Sequence, residues 1–219
     1  MSIGQNVHSV QRRIEAAARR AGRSPESVTL VAVTKSATPQ EVQTAYDAGL
    51  RHFGENRVQD AERKIEALAA IRNSVTWHMV GHLQTNKAPV AARLFAIIHS
   101  VDSVRLGEAL DRRVQSKLPV LLEVNVAGEA TKHGFRPEVV AEALDALSRC
   151  ARLQIRGLMT MAPQTRDAET ARPVFRRLRE LAEQFQLPEL SMGMTDDFEV
   201  AVEEGATMVR IGRAIFRES

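Results

Sequence analysis

Lys35 follows Val31-Ala32-Val33-Thr34 directly, so an amine stands at the carboxyl end of a short apolar run. If that run is a strand of a parallel barrel, the amine points into or over the barrel mouth. An amine in a partly desolvated pocket loses proton affinity and can attack an aldehyde, which makes Lys35 a candidate Schiff-base lysine. A solvated lysine beside a helix cap is the other reading. Five of the 30 basic residues are lysine, at 35, 64, 87, 117 and 132, and the rest are arginine. A chain that uses arginine for ordinary positive charge keeps lysine where an amine has to deprotonate. Lys64 and Lys117 read as surface amines.

A second constellation lies near the C-terminus, where Leu190-Ser191-Met192-Gly193-Met194-Thr195 and Met208-Val209-Arg210-Ile211-Gly212-Arg213 each lead into a helix. Loops after the last two strands of a barrel, meeting helix N-termini, cradle phosphate through free backbone N–H groups and the helix dipole. Thr195 supplies a hydroxyl for such a cradle and Gly212 a close backbone approach; an ordinary N-cap at Thr195, followed by Asp196 and Asp197, is equally open. Arg210 ends an apolar run and should point inward, where a guanidinium needs an acceptor. A pyridine nitrogen would serve and would then stay unprotonated, making the ring a poor electron sink; an internal salt bridge to Glu123 is the competing reading. Other polar strand ends are Glu55-Asn56, His78, His82, His99-Ser100, Glu123 and Asn125. Asn56 either donates to a phenolate oxygen or caps the next helix. The pair His78 and His82 has metal-ligand spacing but no evident third ligand, so no metal is expected.

The elements that must position these residues alternate short β-branched runs with segments of helical period, the pattern of βαβ units. Strands are predicted over 28–34, 51–54, 75–80, 95–100, 119–126, 154–159, 189–192 and 208–211, with helices over 39–48, 57–70, 84–93, 104–116, 137–149, 168–186 and 196–204. Eight strands with intervening helices predict an α/β fold, a (β/α)8 TIM-type barrel forming a single domain over 1–219. Residues 1–27 form an N-terminal helical extension, with Ile3, Val7, Val10, Ile14 and Ala17 near helical spacing. An open doubly wound sheet is the alternative architecture. Thr38-Pro39-Gln40-Glu41 supplies a cap, a proline at the first helical position and a glutamate three residues on, and Gly49 stops that helix.

Composition narrows the function classes. The 219 residues carry a formal charge of +3 and only 4% aromatics, with one Trp and one Tyr, which disfavours single-stranded nucleic-acid binding by base stacking. Cys150 is the lone cysteine, read as a small buried hydrophobe within a helix, so no intrachain disulfide forms and a reducing, cytoplasmic location is expected. The first 23 residues lack an apolar run long enough for a signal peptide or membrane span.

The stretches VAVTKSATP, HFGENRVQD, WHMVGHLQTNK, HSVDS, VNVAGEATKHGF, RGLMTMAP and SMGMTDDFEVAVEEGATMVRIGRAIF, running in order from Val31 to Phe216 within the span Val28 to Phe216, resemble the pyridoxal phosphate homeostasis proteins. These are single-domain relatives of the barrel half of bacterial alanine racemase. The resemblance implies pyridoxal 5′-phosphate (PLP) as an aldimine on Lys35, a phosphate site around Thr195, Gly212 and Arg213, and Arg210 facing the pyridine nitrogen. It also implies that Asn56 and His78 face the ring, and that Lys132 accepts or passes on the cofactor. The chain departs from the family pattern at Thr195, usually serine, which keeps the hydroxyl, and at Arg217, usually glycine. Alanine racemase adds a second domain, and a partner tyrosine there supplies one of two opposed proton-transfer groups. Here the only tyrosine, Tyr46, falls in the helix after the first strand. The resemblance therefore implies vitamin B6 homeostasis without substantial turnover, by a monomer that hands cofactor to PLP-dependent apoenzymes; a PLP-dependent racemase or lyase is the alternative.

Overall fold

The computed structural model describes residues 1–165 and 167–216, so the expectation for Arg217 lies outside the described residues. Eight strands, β1 (Thr29–Val33), β2 (His52–Glu55), β3 (Thr76–Met79), β4 (Ile97–Val101), β5 (Leu118–Glu123), β6 (Leu153–Met159), β7 (Glu189–Ser191) and β8 (Met208–Ile211), close into one parallel barrel in sequence order. The barrel closes where β1 pairs with β8. The fold is the predicted (β/α)8 barrel, and each predicted strand has its counterpart.

The side-chain period of two divides every strand between two cores. Ala32, Phe53, Trp77, Ile98, Leu122 and Val209 face outward into the layer shared with the helices. Val31, Val80, Ile97, Leu121, Met159 and Met208 form a smaller cluster of their own inside the barrel. Complete burial of a side chain such as Phe53 or Leu122 stabilises by roughly 1.5–3 kcal/mol each, and it is available only in this register.

The helices are α1 (Ile3–Arg20), α2 (Pro39–Asp47), α3 (Val58–Ala67), α4 (Ala88–Leu94), α5 (Val104–Asp111), α6 (Val140–Leu147), α7 (Arg172–Gln184), α8 (Phe198–Glu203) and α9 (Arg213–Phe216). Three of them, α4, α6 and α7, begin later than expected because 3-10 turns take the first residues, at Thr85–Lys87, Pro137–Val139 and Ala168–Ala171. Cys150 is buried as expected but lies beyond the end of α6, not within a helix. The predicted capping box of α2 is present, with Thr38 and Glu41 exchanging hydrogen bonds. The N-terminal extension is α1, which buries Val7, Val10, Ile14 and Ala17 and packs on α2, α8 and α9. It thereby covers the seam where the first and last units of the barrel meet. No helix among the described residues is long and apolar enough to cross a membrane.

Candidate functional site

The alternation that builds the inner core also builds the site. Val31 and Val33 share their parity with Lys35, Gly54 with Asn56, and Met208 with Arg210 and Gly212, so residues just beyond the inner core converge over the mouth. A cavity of about 180 Å³ opens there, and Lys35, Asn56, Thr195, Arg210, Gly212 and Arg213 all line it. Met161, Ala162 and Val80 supply apolar wall. Six of the seven cofactor-contacting residues expected from sequence thus share one cavity.

Two close approaches shape the wall. A side chain on Gly212 would put its Cβ 3.0 Å from the Val33 carbonyl oxygen, so backbone lies against backbone at the start of α9. A Cβ on Gly81 would fall 2.4 Å from the Asn56 carbonyl oxygen, so only glycine lets the end of β3 lie against the segment that carries Asn56.

Arg210 is 4% exposed, and its guanidinium donates to Ser191 Oγ at 2.5 Å and to the Thr160 carbonyl at 2.8 Å. The salt bridge to Glu123 entertained from sequence is therefore not what holds it; Glu123 and Asp197 act on it at longer range. Burial lowers the Arg210 pKa to about 10, still protonated at neutral pH. Burial, with the nearby Asp102 charge, raises Glu123 to about 7, against the pull of Arg210.

Thr195 sits in a turn two residues before the N-cap of α8, which is Asp197. Asp197 accepts the Met194 N–H at 2.6 Å, and the N–H groups of Asp197 and Phe198 donate to the Met194 carbonyl, which leaves the Thr195 hydroxyl out of the capping role considered for it. Arg213 is exposed at the cavity wall and pairs with Asp196. Lys132 stands at the rim, paired with Glu129 at 2.6 Å and 3.5 Å from the carbonyl of wall residue Ala162.

His78 is placed differently from the expectation. It does not line the cavity but lies in the barrel interior, where its Nε2 is 3.0 Å from His52 Nδ1 and its Nδ1 is 2.9 Å from His99 Nε2. His99 Nδ1 is in turn 2.7 Å from Ser191 Oγ, the acceptor for Arg210. His52 and Ser191 were missed by sequence reasoning, although His52 is separated by four residues from Asn56 and so shares its inward parity.

Lys64, expected at the surface, is buried and pairs with Glu55 at 2.5 Å directly behind the β1 terminus. Thr34, next to Lys35, donates to the same carboxylate. The base under Lys35 is thus a buried ion pair, and Lys64 is no competitor for an aldehyde. His82 is separated from His78 and meets Asp102 at 3.0 Å, with His133 at 3.9 Å from the same carboxylate oxygen. The two rings stack at 3.7 Å and 11°, so His82 groups with Asp102 and His133, and not with His78, as potential ligands that lie close together away from the cavity. Tyr46 lies on α2 with the Arg51 guanidinium 4.1 Å from its ring centre, and is not among the cavity residues.

Comparison with known proteins places this geometry. The family described as alanine racemase, N-terminal domain, matches residues 5–219. The pyridoxal phosphate homeostasis protein of Aquifex aeolicus is 40% identical over 100% of this chain and 99% of its own length. That of Pseudomonas aeruginosa is 41% identical over 98% and 95%. PipY of Synechococcus elongatus, solved with PLP bound, superposes with a TM-score of 0.84 at 38% identity, covering 98% of this chain and 100% of PipY. Alanine racemase of Clostridium difficile, at 11% identity and a TM-score of 0.73, shares the fold over 57% of its own length. On full-length identity, family match and barrel architecture together, the chain belongs to the pyridoxal phosphate homeostasis protein family.

Proposed function

We propose that this chain holds PLP as a Schiff base on Lys35 and serves vitamin B6 homeostasis in the cytoplasm, without substantial turnover of a substrate. The observation that carries the reading is the cavity that gathers Lys35, Asn56, Thr195, Arg210, Gly212 and Arg213. These residues fit the group. Lys35 is exposed to the cavity and no hydrogen bond or ion pair engages its amine among the described residues. The Gly212 backbone at the start of α9, with Thr195 and Arg213, suits a phosphate, and the buried Arg210 suits a ring nitrogen.

When bound, the cofactor supplies an aldehyde that condenses with an amine, and the protein supplies position. Arg210, charged at neutral pH, would donate to the ring nitrogen and leave it unprotonated, which favours exchange of amines over stabilisation of a carbanion. Tyr46 is packed under Arg51 and supplies no second proton-transfer group in the cavity. Lys132 at the rim is a second amine through which cofactor passes to PLP-dependent apoenzymes, and the protein works as a monomer.

Titration of the purified protein with PLP, borohydride reduction and peptide mapping test the reading. The expected result is a visible absorption band and a reduced adduct on Lys35, both absent from Lys35→Ala. An adduct scattered over other amines overturns the assignment of Lys35, and steady racemisation or lysis of an amino acid overturns the absence of turnover.

A further inference from the structure

Three histidines cross the barrel interior in one hydrogen-bonded file. His52, at the start of β2, is half-buried and lines a groove at the amino-terminal end of the strands, with Glu15 of α1, Glu26 and Arg51 as its charged neighbours. His78 and His99 are 2% and 0% exposed, and the file ends on Ser191 and Arg210. It therefore runs from the face opposite the cavity to the guanidinium in the cavity wall.

Each link uses one ring nitrogen of each histidine, and a neutral imidazole has one donor and one acceptor, so the file has two self-consistent polarities. In the first, the Ser191 hydroxyl donates to His99 Nδ1, His99 Nε2–H to His78 Nδ1, and His78 Nε2–H to His52 Nδ1. In the second, His52 Nδ1–H donates to His78 Nε2, His78 Nδ1–H to His99 Nε2, and His99 Nδ1–H to Ser191 Oγ. A charged His52 carries hydrogen on both nitrogens and fits only the second.

We propose that His52, His78 and His99 form a tautomer relay that, through Ser191, couples protonation at the amino-terminal face to the hydrogen bond positioning Arg210. The proton balance is closed. Each of the three bridging protons crosses its own hydrogen bond toward His52, Ser191, which is enclosed, regains one across its bond from the Arg210 guanidinium, Arg210 recovers one from the cavity it lines, and the net result is one proton added to His52.

The consequence falls on Ser191. In the first polarity its oxygen accepts from Arg210 alone, whereas in the second it accepts from both Arg210 and His99 and holds the guanidinium less firmly. Burial keeps His78 and His99 neutral well below ordinary histidine pH, with His52 lowering His78, and His78 and Arg210 lowering His99. His52 is also lowered by burial but is the least enclosed of the three, so it takes the first proton. His99 and Ser191 are positioning residues in this account. Their link to the cofactor rests on the function proposed above, while the relay itself does not.

The test separates the two. Two-bond 15N–1H correlation spectra of cofactor-free protein, labelled at histidine, report each ring's tautomer as the pH is lowered from 8. His78 and His99 are expected to move together to the Nδ1–H form along the titration of His52, and to stay fixed over the same range in His52→Asn, whose amide replaces the Nδ1 contact without titrating. Tautomers in the wild type that ignore the His52 titration overturn the relay, as does movement that persists in His52→Asn. With PLP added, Ser191→Ala is expected to weaken retention roughly tenfold, and His52→Asn to remove the His52-linked part of its pH dependence. Unchanged retention and pH dependence in both variants overturn the coupling to Arg210. Failure of the wild type to take up PLP overturns the functional reading, with the tautomer result standing separately.

Discussion

Glu123 and His78 are buried with opposite consequences for acid stability, and Glu123→Gln separates them. His78 falls from 6.5 to about 3 on folding, because burial and the His52 charge oppose the imidazolium. Between those pH values the unfolded chain binds a proton that the folded one refuses, so stability is lost as pH falls, by roughly 1.4 kcal/mol per pH unit and about 5 kcal/mol in all. Glu123 rises from 4.5 to about 7, so over that interval the folded chain binds the extra proton and gains stability as pH falls, by about 3 kcal/mol. The two slopes cancel between about pH 6.5 and 4.5, and below that only the histidine slope remains. His99 and His52, both lowered by burial, add to the loss. Urea unfolding of the two proteins at pH 7.5, 6, 5 and 4.5 measures the effect. Wild type is expected to gain about 3 kcal/mol relative to Glu123→Gln across that range, so the variant begins to weaken near pH 6.5. Parallel profiles would show that Glu123 is not neutralised by burial and would refute the reasoning.

Lys64→Met strands the Glu55 carboxylate, whose Oε2 already lacks a partner, and is expected to cost about 3–5 kcal/mol, or roughly 6–20 °C in Tm; Lys64→Met with Glu55→Leu should recover most of it in the same calorimetric scan. A double variant no more stable than the single one would show that the ion pair is not the source of the loss. Gly81→Ala drives a Cβ into the Asn56 backbone and should weaken PLP binding about tenfold or more while a circular-dichroism spectrum stays that of the barrel, and unchanged affinity would remove Asn56 from the site. Arg210→Met replaces a buried charge by a side chain of similar length, so the cofactor-free Tm should hold or rise while the upward shift produced by PLP is lost; a large destabilisation would assign Arg210 to the fold instead of the ligand.

Much of this was legible in the residues because two periodicities carry it. Short apolar runs, β-branched except at 51–54 and 189–192, located all eight strands, and their carboxyl ends located Lys35, Asn56, Arg210 and Gly212 over one mouth. Helix ends were less legible, since a first turn such as Pro137–Val139 satisfies the same sequence signals as an α-helix while adopting 3-10 geometry. Thr195 followed by two aspartates reads as a cap, but the N–H groups such a cap would receive, those of Asp197 and Phe198, both donate to the Met194 carbonyl. The family resemblance puts His78 at the ring, whereas it lies two residues short of Val80, a residue of the cavity wall, and so one layer deeper. Lys64 was hidden by its chemistry: it stands among Val58, Ala61 and Ile65 on the buried face of α3, where helical spacing already argued for burial.

The distribution of charge inside the barrel follows from these placements. Lys64 and Glu55 are buried as a pair behind Lys35, and His78 and His99 are buried uncharged, so each contributes packing without an unanswered charge. Among the described residues Arg210 alone is buried charged with a hydroxyl and a carbonyl as its direct acceptors, and Glu123 of β5 is itself held toward its neutral form. A guanidinium so placed gives up solvation that protein groups only partly replace. An acceptor arriving in the cavity therefore gains an interaction that water no longer provides at that position, which is why Arg210 and not the exposed Arg213 should dominate discrimination among ligands. Arg213 can exchange Asp196 for solvent or for a phosphate at little cost, and sets attraction more than selectivity.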